Sequence, residues 1–126
     1  MKARPIETVQ EGDRLIALVP LGRSDLKAEM WRDDYDFLVK LGLSPNWSSY
    51  RNVTGNYVTA SAVDTPSKHV LVARVLMDAG AGQVVRYADG NPLNLRRGNL
   101  RLVANGKGKT RARDFVKDKT FLEINR

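Results

Sequence analysis

Gln83-Val84-Val85-Arg86-Tyr87-Ala88-Asp89-Gly90-Asn91-Pro92-Leu93-Asn94-Leu95-Arg96-Arg97-Gly98-Asn99-Leu100-Arg101-Leu102-Val103 begins and ends on short apolar runs, with a polar stretch between them. Such runs, bounded by turn formers, read as strands, here over residues 83–88 and 100–104. Asp89-Gly90-Asn91-Pro92 is a strong turn signal, since glycine accepts backbone angles that other residues avoid and proline presets its own. Residues 94–98 leave room for a single helical turn before the second strand. The amides of Asn94 and Asn99 have two readings: they tie the loop's own backbone together, or they face a ligand.

Outward from this stretch the chain alternates between strand and helix periods. Residues 14–21 suit a strand, with Leu15, Ala17 and Val19 on one face and Ile16, Leu18 and Pro20 on the other. Residues 33–41 suit a short helix, because Asp33 and Asp34 favour the positive end of its dipole and Gly42 marks its stop. Phe37, Leu38 and Leu41 would form its apolar side. Residues 56–63 suit a strand, with Tyr57, Thr59 and Ser61 opposing Val58, Ala60 and Ala62. Pro66-Ser67 would start a second helix that runs to about residue 78, with Leu71, Val72, Val75 and Leu76 as its core-facing stripe. The expected fold class is α+β, a small mixed domain of antiparallel strands and helices over residues 1–104, followed by a basic extension over residues 105–126.

The run Val85, Arg86, Tyr87, Ala88, Asp89, Gly90, then Pro92, Leu93, Asn94, Leu95, Arg96, then Asn99, Leu100, Arg101, Leu102 resembles the active-site segment of the HNH endonucleases. The likeness is to the phage and mobile-element group whose N-terminal part is AP2-like. Asn56-Tyr57-Val58-Thr59 and Lys68-His69-Val70-Leu71-Val72-Ala73-Arg74 fit that family's upstream strand and the histidine that opens its helix. Val19-Pro20-Leu21-Gly22 and Asp33-Asp34-Tyr35-Asp36-Phe37-Leu38 are similar to its opening strand and helix. The resemblance extends over most of residues 14–103 and is specific over 84–102. It implies a compact strand, turn and helix unit of the ββα-metal kind.

The position at which the family carries its catalytic histidine holds Tyr87 in this chain. A general base works best with a pKa near the working pH; histidine offers about 6.5, whereas tyrosine sits near 10. A cation such as Arg86 could lower a tyrosine, but a shift of about three units would take roughly 4 kcal/mol. Arg86 stands where the family often has its metal-binding aspartate, so like-charge repulsion opposes a cation there. His69, Asp89 and Asn99 remain as the candidate base and metal ligands. The resemblance therefore implies a degenerate HNH motif with no cofactor expected, or Mg2+ or Mn2+ if those three residues still act. His69 can equally be a packed or capping residue.

Charge gives an argument independent of any family. Residues 1–66 hold 8 Lys/Arg and 9 Asp/Glu, a net of −1, whereas residues 67–126 hold 13 and 5, a net of +8. Between Arg96 and Lys119 stand nine cations, Arg96, Arg97, Arg101, Lys107, Lys109, Arg111, Arg113, Lys117 and Lys119, against Asp114 and Asp118. That density fits a phosphate-backbone binder; a solvated basic face is the plainer alternative. Residues 109–119 could form a basic helix with Ala112, Phe115 and Val116 inward. Gly106-Lys107-Gly108-Lys109-Thr110 lacks the first glycine of a phosphate-binding loop, because Val103 stands there.

With 126 residues, no cysteine and no apolar run of membrane-spanning length, the chain reads as one cytoplasmic domain without disulfides or thiolate metal sites. The expected function is DNA binding by a protein derived from an HNH endonuclease, without cutting. Arg86, Tyr87, Arg96, Arg97, Arg101, Lys107, Lys109, Arg111 and Arg113 are the expected contacts to nucleic acid, double-stranded DNA in particular. One rival is an active metal-dependent endonuclease using His69, Asp89 and Asn99. Another is a mobile-element inhibitor that binds a host defence enzyme, and so has a protein partner.

Overall fold

The computed structural model describes residues 5–22, 24–53, 55–63, 65–80 and 82–104. Three antiparallel strands open the chain, β1 (Glu7–Glu11), β2 (Arg14–Pro20) and β3 (Lys27–Trp31), in the order β1-β2-β3. Helix α1 (Arg32–Leu41) follows directly. A second antiparallel sheet comprises β4 (Ser48–Asn52), β5 (Gly55–Ala62) and β6 (Thr65–Leu71) in that order. The five-residue helix α2 (Val72–Leu76) leads to the hairpin β7 (Gln83–Tyr87) and β8 (Leu100–Ala104). The described part is a small α+β domain of mostly antiparallel strands with two helices. No helix among the described residues is long and apolar enough to cross a membrane.

Alternation explains how two sheets and two helices share one core. On β2 and β3, Ala17, Val19, Ala28 and Met30 are buried; on β5 and β6, Val58, Ala60 and Val70 are buried. Tyr35, Leu38 and Leu41 of α1 join Val72, Val75 and Leu76 of α2 in the same cluster. Trp47 is fully buried, with its ring 5.4 Å from that of Tyr35 and its indole N–H donating to the Ser44 carbonyl at 2.8 Å. An isolated bridge from Leu21, just after β2, to Trp47, just before β4, links the ends of the two sheets, and another from Leu43 to Ala62 ties the segment after α1 to β5. Helix α1 ends where Gly42 turns left-handed at φ 116°, a conformation that costs residues with a Cβ dearly. Its inward residues include Tyr35, while Phe37 is only half-buried.

The second expected helix is corrected. Residues 66–78 do not form one helix: β6 runs to Leu71, and only Val72–Leu76 is helical. Strand β6 lies at a sheet edge, where proline's missing N–H is tolerated. The segment's β-branched residues fit a pleated surface at least as well as a helix. Val70 is accordingly buried while His69, its neighbour, is exposed. His69 therefore lies on an edge strand instead of opening a helix.

Candidate functional site

Loop 88–99 between β7 and β8 is organised around Asp89. Its Oδ1 accepts from the Asn91 N–H at 2.8 Å and from Asn99 Nδ2 at 2.9 Å, and its Oδ2 accepts from Asn94 Nδ2 at 2.9 Å. The Asp89 N–H donates to Asn99 Oδ1 at 2.9 Å, and Asn99 Nδ2 donates also to the Asn94 carbonyl at 2.9 Å. These bonds favour the ionised carboxylate, so the Asp89 pKa lies below its ordinary value, with the Asn94 amide and the Asn91 N–H as the leading causes. The backbone turns back at Gly90, whose φ is 76°. A single 3-10 turn, Arg97–Asn99, returns the chain to β8.

Both amide side chains tie loop backbone: Asn99 through the Asp89 N–H and the Asn94 carbonyl, and Asn94 through its Oδ1, which accepts from the Arg96 N–H at 3.3 Å. Asp89 is exposed at the surface. His69, by contrast, stands on β6 and lines a groove with Tyr50, Tyr57 and Thr59. Among the described residues no hydrogen bond joins it to Asp89 or Asn99, and no group of three His, Cys, Asp or Glu side chains converges.

Tyr87 faces inward at the end of β7, opposite Leu100. Its ring lies 5.9 Å from that of Tyr57. Burial pushes the phenol up to about 12, and the neighbouring Tyr57 pushes in the same direction. Desolvation thus moves Tyr87 away from a base at neutral pH, despite Arg86 beside it in sequence.

The arginines divide into two groups. Arg96 Nη1 donates to Glu29 Oε2 and to Asn94 Oδ1, both at 3.1 Å, and Nη2 donates to Glu11 Oε1 at 3.1 Å. Its guanidinium also lies 5.6 Å from the Trp31 ring centroid, which Arg14 approaches to 3.9 Å. Arg97 Nε donates to Asp34 Oδ1 at 3.0 Å. Beside these ion pairs, the Leu95 N–H donates to the Glu29 carbonyl at 2.7 Å and the Glu29 N–H donates to the Leu93 carbonyl at 2.9 Å. Arg96 and Arg97 therefore bolt the hairpin loop onto β1, β3 and α1.

Arg86 and Arg101 behave differently. They are direct cross-strand partners on the hairpin, and both are exposed. Arg101 Nη1 donates to the carbonyls of Gly98 at 2.8 Å and Leu100 at 2.9 Å, which fixes its head. Arg86 makes no ion pair among the described residues. Two cations held opposite each other repel, so an anion placed between them relieves a cost already built into the fold.

Sequence reasoning missed the acidic partners Glu11, Glu29 and Asp34, since nothing in their local pattern announces residues 63 to 85 positions away. It also missed the groove beside His69, although the alternation of Tyr57, Thr59 and Ser61 with Val58, Ala60 and Ala62 was visible. Lys107, Lys109, Arg111 and Arg113, and the helix expected over 109–119, lie outside the described residues. No protein-family model, curated protein or solved structure matches the chain.

Proposed function

We propose that the chain binds DNA through the outer face of the β7–β8 hairpin and the basic segment after it, without cutting the strand. The observation that carries this reading is the exposed Arg86 and Arg101 pair in direct register. A bridging phosphate would replace repulsion by two charge-assisted hydrogen bonds. The net of +8 over residues 67–126 supplies the long-range attraction that steers a polyanion to the same half of the chain.

Support for binding without cleavage comes from Tyr87. With its phenol pushed up to about 12, it holds its proton at neutral pH and cannot activate a water. The resemblance of residues 84–102 to an HNH segment fits a nuclease scaffold that has kept its loop and lost its base. Arg96 and Arg97 are assigned to holding that scaffold, and the phosphate contacts shift to Arg86 and Arg101.

The test is a titration of labelled duplex DNA at about 50 and about 200 mM salt, with and without Mg2+, reading binding and strand integrity together. The expected result is salt-weakened binding with intact strands. Strand scission that needs the metal and is lost in His69→Ala would overturn the non-cutting part. Absence of binding at the lower salt would overturn the whole reading and favour a protein target.

A further inference from the structure

The two faces of the β7–β8 hairpin carry different side chains. Cross-strand register pairs Val84 with Val103 and Arg86 with Arg101, and strand alternation puts both pairs on one face. The opposite face carries Val85 and Tyr87, which pack against the core, and Leu100, which belongs to it. Val84 and Val103 stand outside that cluster. Val103 is 40% exposed and Val84 is half-buried. The outward face is therefore a square of four side chains, a cation pair beside an apolar pair.

Arg101 Nη1 donates to the Gly98 and Leu100 carbonyls, which draws its head toward the loop and away from Val103. A nucleic-acid backbone alternates in the same sense as this face, a charged phosphate and then a weakly polar sugar. Two residues along a strand span about 6.8 Å, so a phosphate held by the arginines brings its own sugar within reach of the valines. What the valines can distinguish there is the 2′ position. A deoxyribose presents only carbon and hydrogen, whereas a ribose presents a hydroxyl. Against two valine side chains that hydroxyl would lose water without gaining a partner.

We propose that Val84 and Val103 form a sugar-contacting subsite beside the Arg86–Arg101 phosphate site and make the hairpin prefer DNA to RNA. This rests on the DNA-binding reading of the hairpin and assigns the choice of sugar to residues which that reading leaves without a role.

The test measures binding of DNA and RNA duplexes of one sequence at about 50 mM salt, for the full chain, its Val84→Thr, Val103→Thr double variant and Val9→Thr. Threonine keeps the shape and strand preference of valine and adds a hydroxyl; Val9, 45% exposed on β1, is the control for the same change elsewhere. The parent is expected to bind DNA about tenfold more tightly than RNA. The double variant is expected to shrink that ratio about fivefold, chiefly by gaining affinity for RNA, while Val9→Thr keeps it. Helical form differs between the duplexes but not between the proteins, so a change in the ratio reports the two valines. A parent without preference, a ratio that moves less than about twofold in the double variant, or an equal change in Val9→Thr would overturn the sugar subsite and leave hairpin binding standing. Failure of the parent to bind either duplex would overturn both.

Discussion

Replacing Asn99 by alanine removes three hydrogen bonds at once from the loop that carries the candidate site. Asn99 is buried, with 9% of its surface exposed. Its Oδ1 accepts from the Asp89 backbone and its Nδ2 donates to the Asn94 carbonyl, each at 2.9 Å. A net hydrogen bond of this kind contributes about 1 kcal/mol, and a buried group left unsatisfied costs at least that much. The third bond, to the exposed Asp89 carboxylate, is readily replaced by water and adds little. Asn99→Ala should therefore destabilise the domain by about 2 kcal/mol. At roughly 4 °C per kcal/mol for a domain of this size, Tm should fall by about 8 °C. Urea unfolding followed by tryptophan fluorescence would report the same loss, with Trp31 and Trp47 as probes. A loss below about 0.5 kcal/mol would refute the claim that the amide network, not a bound ligand, holds this loop in shape.

Asp89→Asn should flatten the stability profile at the acid end: its carboxyl is held below its ordinary 3.8, so the stabilisation is present above that pH and disappears as pH falls through the folded value. Comparison of parent and variant unfolding between about pH 5 and pH 2 checks it; parallel curves would contradict it. Tyr87, raised to about 12 from 10.0, should lose stability to the native state as pH climbs between those values, and absorbance titration should show one late phenol missing in Tyr87→Phe. Arg86→Glu with Arg101→Glu should reduce the salt slope of DNA binding by about 0.9, the share of the one bridging phosphate that is lost, while leaving Tm nearly unchanged. Arg96→Met should show the opposite profile, lowering stability by about 1 kcal/mol with no change in salt slope once folded.

The hairpin was legible because both of its signals are local. Residues 83–88 and 100–104 are short apolar runs, and Asp89-Gly90-Asn91-Pro92 between them is a strong turn signal. Strand β2, helix α1 and strand β5 were legible for the same reason, each carrying its own period and its own stop. Strand β1, Glu7–Glu11, gave no such signal, since all five residues are exposed and its order comes from pairing with β2. Strand β4 is equally polar. At β6 the spacing of Leu71, Val72, Val75 and Leu76 fits a helical stripe, yet pairing with β5 claims the backbone as far as Leu71, a tertiary term no local pattern contains. In the candidate site, Asp89, Asn94 and Asn99 were found together, but whether they serve a ligand or the loop depended on distances. The assignment of Arg96 and Arg97 depended on partners in the first 34 residues, beyond the reach of composition.

The bridge from Glu29 to Asn94, with the Arg96 contacts to Glu11 and Glu29 beside it, bears on how portable the hairpin is. A peptide spanning only β7, the loop and β8 would lack the edge on which Leu93 and Leu95 dock, and two strands alone are marginal in water. Transplanting residues 83–104 to another scaffold should therefore carry the arginines across without their spacing. The same coupling makes folding order matter during synthesis: the segment emerges last among the described strands and closes onto a sheet made from the first residues of the chain. Contacts separated by 67 and 85 positions must wait for that long closure, so the exposed arginine pair is presented only by a chain whose N-terminal sheet is already complete.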